Sequence, residues 1–247
     1  MTQVLASSNL KAILMLFSLV SASLAIFCAE KIFLVSEARG ATLSNYNTIS
    51  GMENMFLLVE DFEGFQADSL TPPQKDFFSF GSAKIMLSKN KEDEGKSAPA
   101  SSLKVLWSAT DEYGGWGKGV GTNVDLNVAE DFLNFRVLVP EEAGKTDKIK
   151  VILEEDDNDD GVLQKDKDDA WTSIAEIAAT GKWQTVSIPL TAFKDDNEGG
   201  DGNLNVTRKG GLHTVIFSFP ECGKYKAGRE YFFDLIFFSH GKPGNSN

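Results

Sequence analysis

The sequence predicts an all-β fold, a two-sheet antiparallel β-sandwich of jelly-roll type. Three observations carry this. From Met55 onward, short apolar runs recur between clusters of Gly, Asn, Asp and Pro, the pattern of many short strands. Several runs alternate residue by residue: Ile149, Val151 and Leu153 fall on one face, Lys150 and Glu154 on the other. No segment carries a sustained helical apolar period, and 18 Phe residues supply large rings to fill the space between two sheets.

The chain begins with a targeting segment. Lys11 precedes an uncharged apolar run from Ala12 to Ala29, which reads as a signal peptide or N-terminal anchor over residues 1–29. Ser23-Leu24-Ala25 offers small residues for cleavage after Ala25, and Ser36-Glu37-Ala38 is a second such place. Cys28 would suit lipid attachment, but Phe27 stands where a lipid-attachment motif has a small residue. Residues 30–54 read as a linker whose last part, 42–54, is polar and aperiodic.

Strands are expected at 56–62, 77–87, 102–108, 117–125, 132–139, 148–154, 172–177, 184–189, 213–219 and 231–239, forming a domain over 55–240 with a short tail at 241–247. Ile174–Ala179 could close one helical turn, but Gly181 stops it.

Composition narrows the function. The chain has 24 Lys and Arg against 36 Asp and Glu, a net charge of -12, which excludes nucleic acid as a partner and leaves membrane contact to the N-terminal segment. Two His and two Cys exclude a multi-histidine metal centre and a disulfide framework. There is no G-x-S-x-G nucleophile elbow and no glycine loop opening a helix. The chain therefore reads as a non-catalytic monomer. Carboxylates are plentiful, so lyase or glycosidase chemistry on a jelly roll stays as an alternative.

Three stretches stand in a recognisable order: Leu58-Val59-Glu60-Asp61-Phe62-Glu63-Gly64, then Gly181-Lys182-Trp183-Gln184-Thr185-Val186-Ser187-Ile188-Pro189-Leu190, then Tyr231-Phe232-Phe233-Asp234-Leu235-Ile236-Phe237-Phe238. Between the first two lies Tyr113-Gly114-Gly115-Trp116-Gly117-Lys118-Gly119. Over residues 56–240 this layout resembles the galactose-binding-like β-sandwich and, within it, the family 11 carbohydrate-binding modules. A related branch contains complex I intermediate-associated protein 30, an assembly factor, so a protein-interaction role is a further alternative. The leader makes the chain an exported protein, secreted, periplasmic or at the cell surface, and the resemblance implies a polysaccharide or oligosaccharide lying on the concave face of the sandwich.

Pyranose rings present C–H faces to aromatic side chains, and planar polar groups bind their hydroxyls. The candidates for sugar contact are Tyr113, Trp116, Arg136, Glu154, Trp171 and His213. The glycines around Trp116 either expose its ring or let backbones approach closely. Arg136 alternates with Phe135 and Val137, so it faces away from the apolar side.

Two acidic sets are candidates for structural Ca2+. Asp156-Asp157-Asn158-Asp159-Asp160-Gly161 opens like a calcium loop, with Asp156, Asn158 and Asp160 as ligands, although Lys167 stands where an EF-hand has its closing Glu. The resemblance implies a second site, at Asp61, Glu63 and Asp234, where the first and last strands meet.

Overall fold

The computed structural model describes residues 54–63, 76–89, 101–107, 113–204, 211–220 and 229–243. The described residues all belong to one compact unit, Ile49–Asn247. The leader, Cys28 and nearly all of the linker lie outside the described residues.

Twelve strands run in chain order: β1 Met55–Glu60, β2 Phe77–Gly81, β3 Ala83–Lys89, β4 Ser101–Trp107, β5 Gly114–Thr122, β6 Asp131–Leu138, β7 Thr146–Glu155, β8 Ala170–Ala178, β9 Trp183–Pro189, β10 Lys194–Asp195, β11 Leu212–Ser218 and β12 Glu230–His240. They form two six-stranded sheets. The first is ordered β3-β4-β12-β6-β9, with β1 also paired to β12; the second is β10-β8-β7-β11-β5-β2. Every pairing is antiparallel. The fold is the predicted sandwich.

Alternation decides what lies between the sheets. Leu133, Phe135 and Val137 of β6 and Leu103, Val105 and Trp107 of β4 meet Ile149, Val151 and Leu153 of β7. An aromatic cluster fills the middle: Trp116 stacks on Phe217 at 4.8 Å and meets Phe233 edge-on at 5.2 Å. Each large apolar side chain buried this way contributes about 1.5–3 kcal/mol. The acids that end β1 are partly structural. Glu60 pairs with Lys118 of β5 at 2.8 Å, and both side chains are buried, so the pair ties the two sheets together. Lys118 also sits 4.4 Å from the centre of the Phe77 ring.

Three local departures from the expected strands have physical causes. The stretch 77–87 is two strands in different sheets, because Gly81 takes a φ of 60° and the chain turns at Ser82. An added Cβ at Gly81 would lie 2.1 Å from the Tyr113 carbonyl oxygen, so only glycine fits the turn. The strand expected at 117–125 begins earlier, at Gly114, so the glycine stretch around Trp116 is ladder and not loop. In β12 the alternation slips. Leu235 has a φ of 48°, and the register to β6 jumps between Asp234↔Arg136 and Phe237↔Asn134. Phe233 is in the core before the bulge, and past it Ile236 and Phe238 join the core where unbroken alternation would put Leu235 and Phe237.

Candidate functional site

Residues paired across neighbouring strands share a face of the sheet. On the outward face of the second sheet one row runs Phe78, Gly117, Ile216, Ile152, Thr172 from β2 to β8. The next runs Phe80, Gly115, Ser218, Lys150, Ile174. Every second residue of β5 on this face is therefore glycine, and the rings of the edge strand lie over that gap. An added Cβ at Gly117 would come within 2.4 Å of Phe78 Cζ, and one at Gly115 within 2.7 Å of Phe80 Cζ. Phe78, Phe80 and Tyr113 form a continuous line, with ring centres 6.4 and 5.2 Å apart. Phe78 is 41% exposed and Tyr113 60%.

Polar groups stand further along the same face. Glu154 is half-buried, and burial pushes its carboxyl above the usual range despite a hydrogen bond to Thr214 and the nearby His213. His213 is the extra residue of a bulge in β11, and its Nδ1 lies 2.7 Å from Thr214 Oγ1. Lys150 pairs with Asp196 at 2.7 Å. Exposed rings beside hydrogen-bonding groups suit a ligand with apolar faces and hydroxyl edges.

The sequence candidates separate into three groups. Tyr113, Glu154 and His213 share this outward face. Trp116 and Trp171 do not, and both expectations are corrected. Trp116 is fully buried at 0% exposure among Phe62, Phe217 and Phe233, so it offers no surface to a ligand. Trp171 pairs with core residue Leu153, packs against the core, and donates its indole N–H to the buried Glu155 at 2.6 Å. Arg136 is on the other sheet, with its guanidinium 5.3 Å from the Trp183 ring and 4.0 Å from Asp234, and takes no part in the face.

Sequence reasoning missed Phe78 and Phe80, which it took only as part of a strand. The available signal was the alternation of Gly115 and Gly117 about Trp116. Within a strand it leaves one face without side chains, where rings from a neighbour can lie.

The acidic loop adopts the turns that its D-x-N-x-D-G spacing dictates. Asp156 accepts backbone N–H groups from Asp160 and, at 2.7 Å, from Gly161; Asn158 accepts from Asp160 at 3.0 Å; Asp160 accepts from Val162 at 2.9 Å. These oxygens shape the loop's own turns. A different trio converges: oxygens of Asp157, Asp169 and Asp201 all lie within 4.8 Å of one another. Burial first, then the charges of Asp169 and Asp201, push the Asp157 carboxyl up to about 6. Burial likewise raises Asp169.

Asp61, Glu63 and Asp234 do lie near one another, since the charges of Glu63 and Asp61 add to the burial that holds the Asp234 carboxyl well above its usual range. They form no converging oxygen set among the described residues. Asp61 Oδ1 accepts from Glu63 N at 3.0 Å, Glu63 Oε1 from Ser101 N at 3.1 Å, and Asp234 faces Arg136. Both Asp234 oxygens are buried and accept no hydrogen bond, and the Arg136 guanidinium is their nearby counter-charge.

A family model described as the surface glycan-binding protein B xyloglucan binding domain matches residues 60–233. The chain belongs to this family. The surface glycan-binding protein B match spans the whole second sheet, including the aromatic edge, the glycine strand and the acidic loop.

Solved structures of similar shape include a family 11 carbohydrate-binding module from Clostridium thermocellum in complex with a β-1,3-1,4-mixed-linked tetrasaccharide. It is 18% identical, with a TM-score of 0.47, over 76% of this chain and 96% of that one. The family 30 module of a cellulosomal cellulase from the same organism is 14% identical, with a TM-score of 0.45, over 75% of this chain and 98% of that one. An exo-β-agarase matches at 13% identity and a TM-score of 0.49, over 77% of this chain but 25% of the enzyme. No curated protein matches the chain.

Proposed function

We propose that this protein is an exported, non-catalytic glycan-binding domain that holds a neutral polysaccharide of the xyloglucan class on the outward face of its second sheet. The observation that carries the reading is the line of Phe78, Phe80 and Tyr113 over a strand stripped of side chains at Gly115 and Gly117. The line gives sugar rings a place to stack, and Glu154, His213 and Thr172 supply hydroxyl partners beside it. The family supplies the polysaccharide class. A net charge of -12 disfavours acidic polysaccharides. On this face Glu176 and Asp196 are paired with Lys148 and Lys150. The apolar leader carries the chain to the cell surface or beyond it.

Isothermal titration against xyloglucan, unbranched cello-oligosaccharides and an acidic polysaccharide tests the proposal. Binding to xyloglucan is expected, with Phe78→Ala and Tyr113→Ala each weakening it by about tenfold or more at unchanged melting temperature. Full affinity in both variants would move the site elsewhere. No binding to any glycan by the folded protein would overturn the function.

A further inference from the structure

We propose that Asp157, Asp169 and Asp201 hold a Ca2+ ion that staples the loop between β7 and β8 to the segment between β10 and β11. The three residues come from separate stretches of chain. Asp157 follows β7, Asp169 precedes β8 and Asp201 lies before β11. Their oxygens nevertheless fall within 4.8 Å of one another. Two oxygens on opposite sides of a Ca2+ ion, each about 2.4 Å from it, are separated by about this distance.

Asp169 supplies the independent observation. It is 1% exposed, and its two oxygens are treated differently. Oδ2 accepts the N–H groups of Gly202 at 2.9 Å and Asp201 at 3.2 Å. Oδ1 is buried and accepts no hydrogen bond. A buried carboxylate oxygen without a partner is costly, and a bound cation relieves that cost.

The unused oxygen points into the cluster. An added Cβ at Gly200 would lie 2.0 Å from Asp169 Oδ1 and 2.6 Å from Asp157 Oδ2, so these two oxygens face one spot. Gly200 has a φ of 69°, and both its backbone angle and this crowding exclude any larger residue. Asp157 Oδ2 meanwhile accepts the Asp169 N–H at 2.8 Å, which holds the two carboxylates against each other.

The donor set selects the ion. All three donors are carboxylates, so a hard cation fits and a thiolate- or imidazole-seeking metal does not. Three converging carboxylate oxygens leave the rest of the shell to water and backbone oxygens, which suits the irregular, flexible shell of Ca2+ better than the strict octahedron of Mg2+. The ion would lie beside the end of β7, where Glu155 N reaches Asp169 O at 3.0 Å and Asp156 N reaches Gly211 O at 3.1 Å. Glu154 and His213 adjoin these contacts. The inference does not depend on the proposed glycan.

The test uses the full chain stripped with EGTA. Adding Ca2+ at 1 mM should raise the melting temperature by about 4 °C or more, and Mg2+ should do less. Tb3+ should bind with luminescence excited through tryptophan, Trp171 being two residues from Asp169, and Ca2+ should displace it. Asp201 is exposed, so Asp201→Asn will fold, and it should weaken Ca2+ by about tenfold or more. Asp160→Asn, in the turn-forming part of the loop, should leave Ca2+ affinity unchanged.

No thermal shift and no Tb3+ signal would overturn the proposal. So would loss of binding in Asp160→Asn with full binding in Asp201→Asn. An equal response to Mg2+ would overturn the choice of ion.

Discussion

At the centre of the first sheet, on β6 and β12, side chains that stand outside the core are still withdrawn from solvent: Phe232, Asp234 and Asn134 are all buried. Asn134 donates to Ser239 at 2.8 Å, and Lys104 lies 5.9 Å from the Phe232 ring. On the second sheet the outward side exposes Phe78 and Tyr113 at one edge and Ile174 towards the other. Both sheets obey the same alternation of inward and outward residues. Alternation therefore assigns a side chain to a face but does not say which face meets a ligand. Packing decides which face keeps its rings exposed, and on the second sheet the glycines of β5 do so by leaving room for rings from β2.

The largest test of this contrast is Trp116→Ala. As a fully buried ring it should cost about 3–5 kcal/mol of stability, read by urea unfolding. Loss of glycan binding with unchanged stability would put Trp116 back on the surface. Gly117→Val should have the next largest effect. Its side chain would displace the Phe78 ring, lowering glycan affinity by about tenfold or more and stability by about 1–3 kcal/mol. A variant that binds glycan as tightly as the parent would show that the ring's place over the glycine is irrelevant.

Arg136→Ala sharpens the comparison from the other side. Its guanidinium belongs to the first sheet, beside Trp183 and Asp234, so stability should fall while glycan affinity changes less than about twofold. Titration of the variant with xyloglucan checks this, and a tenfold loss would join the two sheets in one site.

The smallest effect concerns Asp234. Burial raises its folded carboxyl well above the ordinary value, so ionising it costs folded-state stability once the pH exceeds the unfolded value. That cost is complete above the folded value and disappears as the pH falls towards the unfolded one. Asp234→Asn should therefore compare best with the parent at pH 7. Calorimetry from pH 7 down to pH 4 should show the difference moving in the parent's favour. A pH-independent difference would mean that the carboxyl titrates normally.

Much of the sandwich was legible, because a half-buried strand writes its core face into every second residue, as Ile149, Val151 and Leu153 do. The division of 77–87 between two sheets was not, since it turns on the backbone angle of one glycine. The phase slip at Leu235 was equally hidden: a bulge adds a residue without changing composition. Tyr113, Glu154 and His213 were legible as outward residues. Trp116 misled, because its flanking glycines make room for rings from β2 on one face while the indole packs into the core on the other. The acidic loop was read from contiguous spacing, and spacing finds turns well. Asp169 and Asp201 are brought to Asp157 by tertiary structure, which no local pattern records.

One feature of the topology bears on how the molecule is made. Strand β12 is a shared partner of β1, β4 and β6 in the first sheet, yet it follows all of them in the chain. Until residues 230–240 have been synthesised, three earlier strands lack a neighbour that completes their ladder. Such long-range pairing makes folding slow and late. A nascent chain that stays open until its last strand arrives is also one that can be threaded through a translocation pore before it closes.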